Sequence, residues 1–551
     1  MSKRAYSTLI LLLAGCQGTI GDAPSAEPGA TPPVDLSEEC DPSVAPDAEL
    51  LRIDRRAYDL ALRSLFGDES VDAVGSAVTG VPNTQSGQYR SEVEVPSFDV
   101  VQSYVDVASS MAFYLTDDPS RLRVLSECLS ELSEPLNETD EACLFGFIDD
   151  FGLRLTRRPL SAEDHARFVE AYEIGSGENA STGVATLLMS MLLDPRFLYH
   201  FEVDGEEREP GVITLTSYEV AARLARVLWK SIPDDSLLAA AEEGFEGPEG
   251  EARLREQIER MWSTPEAREG FRGFISEWIA LRHEGPATDA LLEFATNMVY
   301  ERDGTLAELF LDRTAFIEDA ELAEVYGLPA DTRGEVQLGE EHRAGLLTRA
   351  GWLETSAIED TNAGHIIHRG KALSDLLCVP IPLPDDDVFP DDDPADPTEG
   401  LRTIRQRFTD VTSEQPCSSC HVRLDALGAP FGHFDFDGAY IDDERITVDE
   451  EEHILSIDSS SSVNVGEGTL VDVESAIDIS VAAAQSEGVA ACLGAELTEN
   501  MMGREVAPSD ACLIQAAQDL LSPSRSVSVR EALFAIVTSP SFSVRSIPEA
   551  Q

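Results

Sequence analysis

The sequence predicts a mainly α, multi-helical protein of several domains, with one short β-hairpin near residues 445–470. Three observations carry that reading. Apolar residues recur three and four apart through most of the chain, as on the buried face of a helix. Helix stops and starts fall between these runs, such as Gly67 after "AELLRIDRRAYDLALRSLF" and Ser161 with Glu163 and Asp164 at the head of "SAEDHARFVEAYEIG". One stretch, "RITVDEEEHILSIDSSSSVNV", alternates instead with the period of a strand.

At the N-terminus, "MSKRAYSTLILLLAGC" joins two early cations to an apolar run, Leu9 to Leu13. That run is too short to span a bilayer and suits the core of a secretory signal. It ends in Leu13-Ala14-Gly15-Cys16, which resembles a bacterial lipobox and implies lipid attachment to Cys16. Residues 1–16 are therefore expected to be a lipoprotein signal peptide. Residues 17–48, rich in Pro, Ala, Gly and acid, are expected to form a disordered tether. About 30 such residues reach roughly 30 Å.

Helical domains are expected over 49–135, 136–205 and 210–330. "STGVATLLMSMLLDPRFLYHFE" is apolar on nearly all faces and reads as a buried core helix, with Met189 and Met191 as packing residues. The third block reads as helix to about residue 327, with "SIPDDSLL" as a break and capped restart. Residues 338–460 form the next unit, which includes "PIPLPDDDVFPDDDPADP", an acidic loop whose prolines forbid regular structure. Helices resume over 465–551.

Lys and Arg total 40 against 103 Asp and Glu, a formal net charge of −63. That excludes nucleic acid as a partner, because its phosphates demand a basic face. No stretch after the leader is long and apolar enough for a membrane helix, so membrane contact is expected through the lipid anchor only. Cysteine usage agrees with export. Cys128 and Cys143, and Cys492 and Cys512, each flank a loop of a size that a disulfide could staple between neighbouring helices. Cys40 and Cys378 lack local mates and are left to pair with each other, or Cys378 to stand as a buried thiol.

The chemistry concentrates in "EQPCSSCHVRLDALG". With nine Cys and nine His in the chain, random placement gives C-x-x-C-H only about 0.002 times. A zinc site needs four ligands, or three and a water, and no second C-x-x-C or H-x-x-x-H is present. A thioredoxin-like dithiol needs a strand before it and a helix after it, whereas the surroundings here read as helical and acidic. One covalently bound haem c fits: Cys417 and Cys420 form thioethers with the haem vinyls and His421 reaches the iron from the proximal side. Covalent haem attachment takes place outside the cytoplasm, in agreement with the leader.

The chain resembles a family of planctomycete and myxobacterial multi-domain helical, c-type cytochrome-like proteins. They carry the domains of unknown function fifteen-eighty-seven, fifteen-ninety-five, fifteen-ninety-two, fifteen-eighty-eight and fifteen-eighty-five. The matching pieces are "LRIDRRAYDLALRSLFG", "FGLRLTRRPLS", "LLMSMLLDPRFLYHFE", "LTSYEVAARLARVLWKSIPDDSLL", "HRAGLLTRAGWLETSA", "IHRGKALSDLLC", "CSSCHVRLDALGAPFGHFDFDGAY" and "TSPSFSVR". The resemblance implies a small cytochrome c-like segment, with Cys417 and Cys420 as haem thioether residues and His421 as axial ligand. Relatives commonly carry methionine where Leu424 stands here. The distal ligand is open: Met501, Met502, His433 and His368 are candidates, and His365 precedes His368 on the same helix start. Arg369 and Lys371 are expected to offset haem propionate charge.

"HFDFDGAYIDDE" imitates a calcium loop, with Asp435, Asp437, Gly438 and Glu444 at positions 3, 5, 6 and 12, but His433 holds position 1. The leading expectation is an exported, lipid-anchored, c-type cytochrome-like protein of the cell envelope, on the periplasmic face or outer membrane surface. It would pass single electrons to or from a redox partner protein or periplasmic cytochrome. The alternatives are a haem-dependent oxidoreductase or peroxidase acting on an extracellular substrate, and a haem-free cell-surface binding or scaffold protein.

Overall fold

The structure is a computed structural model and describes residues 40–41, 44–47, 50–82, 97–281, 284–355, 365–381, 401–448, 451–466 and 468–547. The signal peptide with Cys16, most of the tether and the acidic loop near residues 382–400 lie outside the described residues. The fold is mainly helical, with small antiparallel sheets.

Two large apolar cores account for most of the buried surface. The first gathers Ile53, Tyr58, Leu62, Met111, Ile148, Phe168, Leu188 and Phe197 from helices between Arg55–Phe66 and Pro195–Leu198. Its helices begin where the sequence supplies an oxygen for their unpaired N–H groups. Asp54 accepts from Ala57, Asn137 from Thr139 and Asp140, and Ser161 forms a reciprocal cap with Asp164. Met191 is fully buried here and Met189 packs against the same core. Both are packing residues.

The second core runs from Leu215 to Phe542 and joins three expected units: Leu224, Trp262 and Phe294, then Trp352, Leu373 and Phe431, then Ile479, Leu497 and Leu533. A small third cluster covers the hairpin Thr314–Ile317 with Gly334–Gln337. Reading helix to residue 327 missed this hairpin. Strand Thr314–Ile317 is only four residues long, so it offers too little period to be told from a helical run. Backbone pairing also connects distant parts of the chain. Leu51–Arg52 pairs with Tyr199–His200, and the C-terminal strand Val544–Ser546 pairs with Val212–Thr214. The expected alternating stretch forms the hairpin Asp443–Val448 with Glu451–Ser456, followed by a second pair, Ser461–Asn464 with Leu470–Val473.

The disulfides correct the sequence reading. Cys128 bonds Cys143 as expected, but Cys492 bonds Cys378 and Cys512 bonds Cys40. Helices Glu487–Met502 and Ala511–Leu521 turn back on each other, with Gly494 lying against Ile514 and Gln518. Cys492 therefore stands about 10 Å along the axis from Cys512, too far for a bridge whose Cα atoms must lie within about 7 Å. The Cys40 bridge also shortens the expected tether. Ala45 and Pro46 are buried, and Arg504 donates to the Asp47 carbonyl at 3.2 and 3.0 Å while pairing with the fully buried Asp510.

Candidate functional site

The CSSCH segment opens a helix, Ser418–Gly428, with Cys417 already in helical conformation at its head. The preceding helix, Ile404–Thr412, starts from a reciprocal Thr403–Gln406 cap. The His421 N–H closes the first turn on the Cys417 carbonyl at 3.1 Å, so the two cysteines and the histidine occupy a single turn.

The helix is clamped by His365–Leu376 at unusually short range. A Cβ on Gly428 would fall 1.8 Å from the Ile366 carbonyl oxygen, and one on Gly370 2.0 Å from that of Leu424. Both positions need glycine because the two backbones touch. Leu424 takes part in this crossing through its backbone carbonyl.

His421 is 6 % exposed. Its Nδ1 lies 3.2 Å from Asp425 Oδ1 one turn on, and Asp425 Oδ2 also reaches Thr412 Oγ1 at 3.4 Å. A carboxylate on Nδ1 holds the imidazole plane and makes Nε2 the nitrogen a metal would take. Sequence reasoning overlooked Asp425, although its i, i+4 spacing from His421 was a readable signal. Cys417 and Cys420 are both partly buried and outside any disulfide, whereas the other six described cysteines are all bridged.

The distal candidates fare differently. Met501 and Met502 are both buried in the second core. Met501 lines one small crevice of that core with Leu228, Trp262, Phe271 and Leu533, and the Met502 carbonyl takes a hydrogen bond from Arg226. The reason is the helix pairing described above, which carries the end of Glu487–Met502 toward Ser217–Trp229. His433 Nδ1 lies 2.9 Å from the Ile441 carbonyl, and its ring stacks on Tyr440, which also stacks on His342 at 3.5 Å. His368 sits level with Ala426, because Ile366 faces Gly428 and Gly370 faces Leu424. That is about 7 Å from His421 along the helix. The side chain of His365 lies outside the described residues.

The expected propionate partners are engaged elsewhere. Arg369, 1 % exposed, donates to the carbonyls of Phe431, Phe434 and Asp435 at 3.1, 2.7 and 2.6 Å. It stitches the chain after the CSSCH helix to the helix before it, and burial lowers its pKa to about 9. Lys371 pairs with Asp375 at 2.6 Å. The calcium-like loop does not converge its carboxylates: Asp435 accepts from the Ala439 N–H at 2.7 Å, and Glu444 accepts from the Ile404 N–H and faces Arg407.

Residues 343–444, which include the CSSCH helix, match the family model described as PSCyt3: Protein of unknown function (DUF1588). Residues 215–328 match PSD4: Protein of unknown function (DUF1592). Two of the five domains implied by the sequence resemblance are therefore present. No curated protein and no solved structure matches the chain.

Proposed function

We propose that the chain is an exported, lipid-anchored electron carrier that holds one haem c through Cys417 and Cys420, with His421 as proximal ligand. The observation that supports this reading is the contrast among its cysteines. Six are closed into disulfides, while two thiols one turn apart stand beside a buried, carboxylate-oriented histidine. When bound, haem supplies a one-electron Fe(III)/Fe(II) couple. The residues here would do the holding: Cys417 and Cys420 would tether the porphyrin edge, His421 would ligate through Nε2, and Asp425 on Nδ1 would fix the ring and raise its basicity. The three disulfides favour an oxidising compartment, where a redox protein partner or periplasmic cytochrome would exchange the electron.

The test is a pyridine haemochrome assay on protein expressed in a host competent in cytochrome maturation. One haem c per chain is expected, and none after Cys417→Ser with Cys420→Ser. A haem-free wild-type protein would return the chain to the scaffold reading. A carrier keeps its ferric spectrum in cyanide and peroxide; a spectral change with either would move the reading to a haem-dependent oxidoreductase.

A further inference from the structure

Away from the CSSCH helix, the junction between the two large cores holds a narrow cleft with about 20 Å³ of interior space. Arg157, Arg158, Arg196, Arg223 and Arg226 line it with His200, beside two carboxylates, Glu202, which pairs with Arg223, and Glu219, which caps its own helix at Thr216. Five guanidiniums at one cleft are unexpected in a chain with only 40 Lys and Arg against 103 acids.

Three of the five have carboxylate partners: Arg158 pairs with Asp204, Arg196 with Asp194 and Asp164, and Arg223 with Glu202. Arg157 and Arg226 form no carboxylate ion pair among the described residues. Arg157 donates to the carbonyls of Arg196, Phe197 and Tyr199, which fixes the floor of the cleft. Arg226 makes a single hydrogen bond, 3.0 Å to the Met502 carbonyl, out of five N–H groups. Its guanidinium is seated against Gly503, where a Cβ would lie 2.3 Å from Nη1 and where φ is +69°. The arginine is thus held in place by backbone and still has donors for a ligand.

His200 supplies a further donor. Arg157 Nη1 lies 3.3 Å from His200 Nδ1, and since a guanidinium can only donate, Nδ1 accepts and the ring proton sits on Nε2. Burial and the charges of Arg157 and Arg226 push the His200 pKa well below its ordinary range, so the ring stays neutral.

We propose that this inter-core cleft is a binding site for a small oxyanion, the phosphate, sulfate or carboxylate group of a small molecule, with Arg226 and His200 Nε2 as its donors. A planar guanidinium matches the two oxygens of such a group. Clefts between packed units are a usual place for small-molecule sites. Glu202 acts on Arg226, and Asp194 on Arg157, only through longer-range charge, so an oxyanion would give Arg226 the direct partner it lacks. The site is independent of haem binding.

The experiment is a thermal-unfolding titration of the mature full chain with sodium phosphate, sulfate or succinate against sodium chloride at equal ionic strength. At least one oxyanion should raise the midpoint by several degrees in a saturable way. Arg226→Lys should weaken the effect at least tenfold, and Arg226→Gln should remove it. A second measurement needs no variant: wild-type protein is treated with phenylglyoxal with and without the stabilising anion, and modified peptides are mapped by mass. The bound anion should shield Arg226. Equal midpoints in all four salts, or an Arg226 that reacts equally with and without anion, would overturn the proposal, whether or not either variant folds.

Discussion

The helix His365–Leu376 lies between two kinds of cysteine. Just past its end, Cys378 is bridged to Cys492; along its side it packs against the helix that carries Cys417 and Cys420 as thiols. The bridged pair joins residues 114 apart in sequence, while the thiols are three residues apart within one turn. Distance in sequence decides what each pair does. A bridge that closes a long loop removes much freedom from the unfolded chain, whereas two thiols on one turn constrain almost nothing and present two sulfurs on one side of a helix. The first region is a clamp; the second is held by that clamp.

The largest effect that sharpens this contrast is chemical. Cys417→Ala with Cys420→Ala should abolish covalent haem completely, read as loss of haem staining on a denaturing gel, with the helical circular dichroism retained. The reverse experiment breaks the clamp. Cys378→Ala with Cys492→Ala should lower unfolding free energy by about 5 kcal/mol in the chain-entropy treatment. The Cys128–Cys143 pair closes only a 15-residue separation and should be worth about 3 kcal/mol, both read by urea titration. Equal losses would show that loop length is not what separates them.

Between clamp and thiols lies the helix crossing. Gly428→Ala puts a methyl group against the Ile366 carbonyl and should destabilise by about 3 kcal/mol, the upper end for overpacking, because backbone cannot move aside as a side chain would. An effect below about 0.5 kcal/mol would contradict the close crossing.

The smallest effect is pH-dependent. Burial, then Asp437 and Glu321, raise the Glu354 pKa from 4.5 to about 7. Between those values the folded state holds a proton that the unfolded state has lost, so this contribution to stability falls as pH rises. The fall should be about 2 kcal/mol after solvent screening. Glu354→Gln should flatten it, measured as urea midpoints across that range.

How much of this was legible in the sequence follows from the range of the interactions. Most helices, the cap at Ser161, and the hairpin after residue 443 depend on neighbours within a few residues, and the local pattern displays them. Leu51–Arg52 and Tyr199–His200, which read as helix, form a strand pair instead because each finds its partner far along the chain, and the first helix starts only after Asp54. The cysteine pairing depends on which helix faces which. From the sequence, Cys492 and Cys512 looked like mates because they flank one loop; the turn-back of their helices sets them apart. Met501 and Met502 were plausible ligands for the same reason, and tertiary packing assigns them to the core. Cys417, Cys420 and His421 share one helical turn, as their spacing implies. The work of Arg369 was hidden, because its shortest hydrogen bonds go to carbonyls more than sixty residues away. The arginine cleft was hidden too: Arg157 and Arg226 come from separate helical units that meet only in the fold.

The central claim is tested most directly by weighing the mature protein intact after expression with the cytochrome maturation machinery. The account predicts the mass of the lipidated polypeptide plus one covalently attached haem, with the addition mapping to the peptide containing Cys417 and Cys420. A mass equal to the lipidated polypeptide alone, with both thiols open to alkylation, would contradict it.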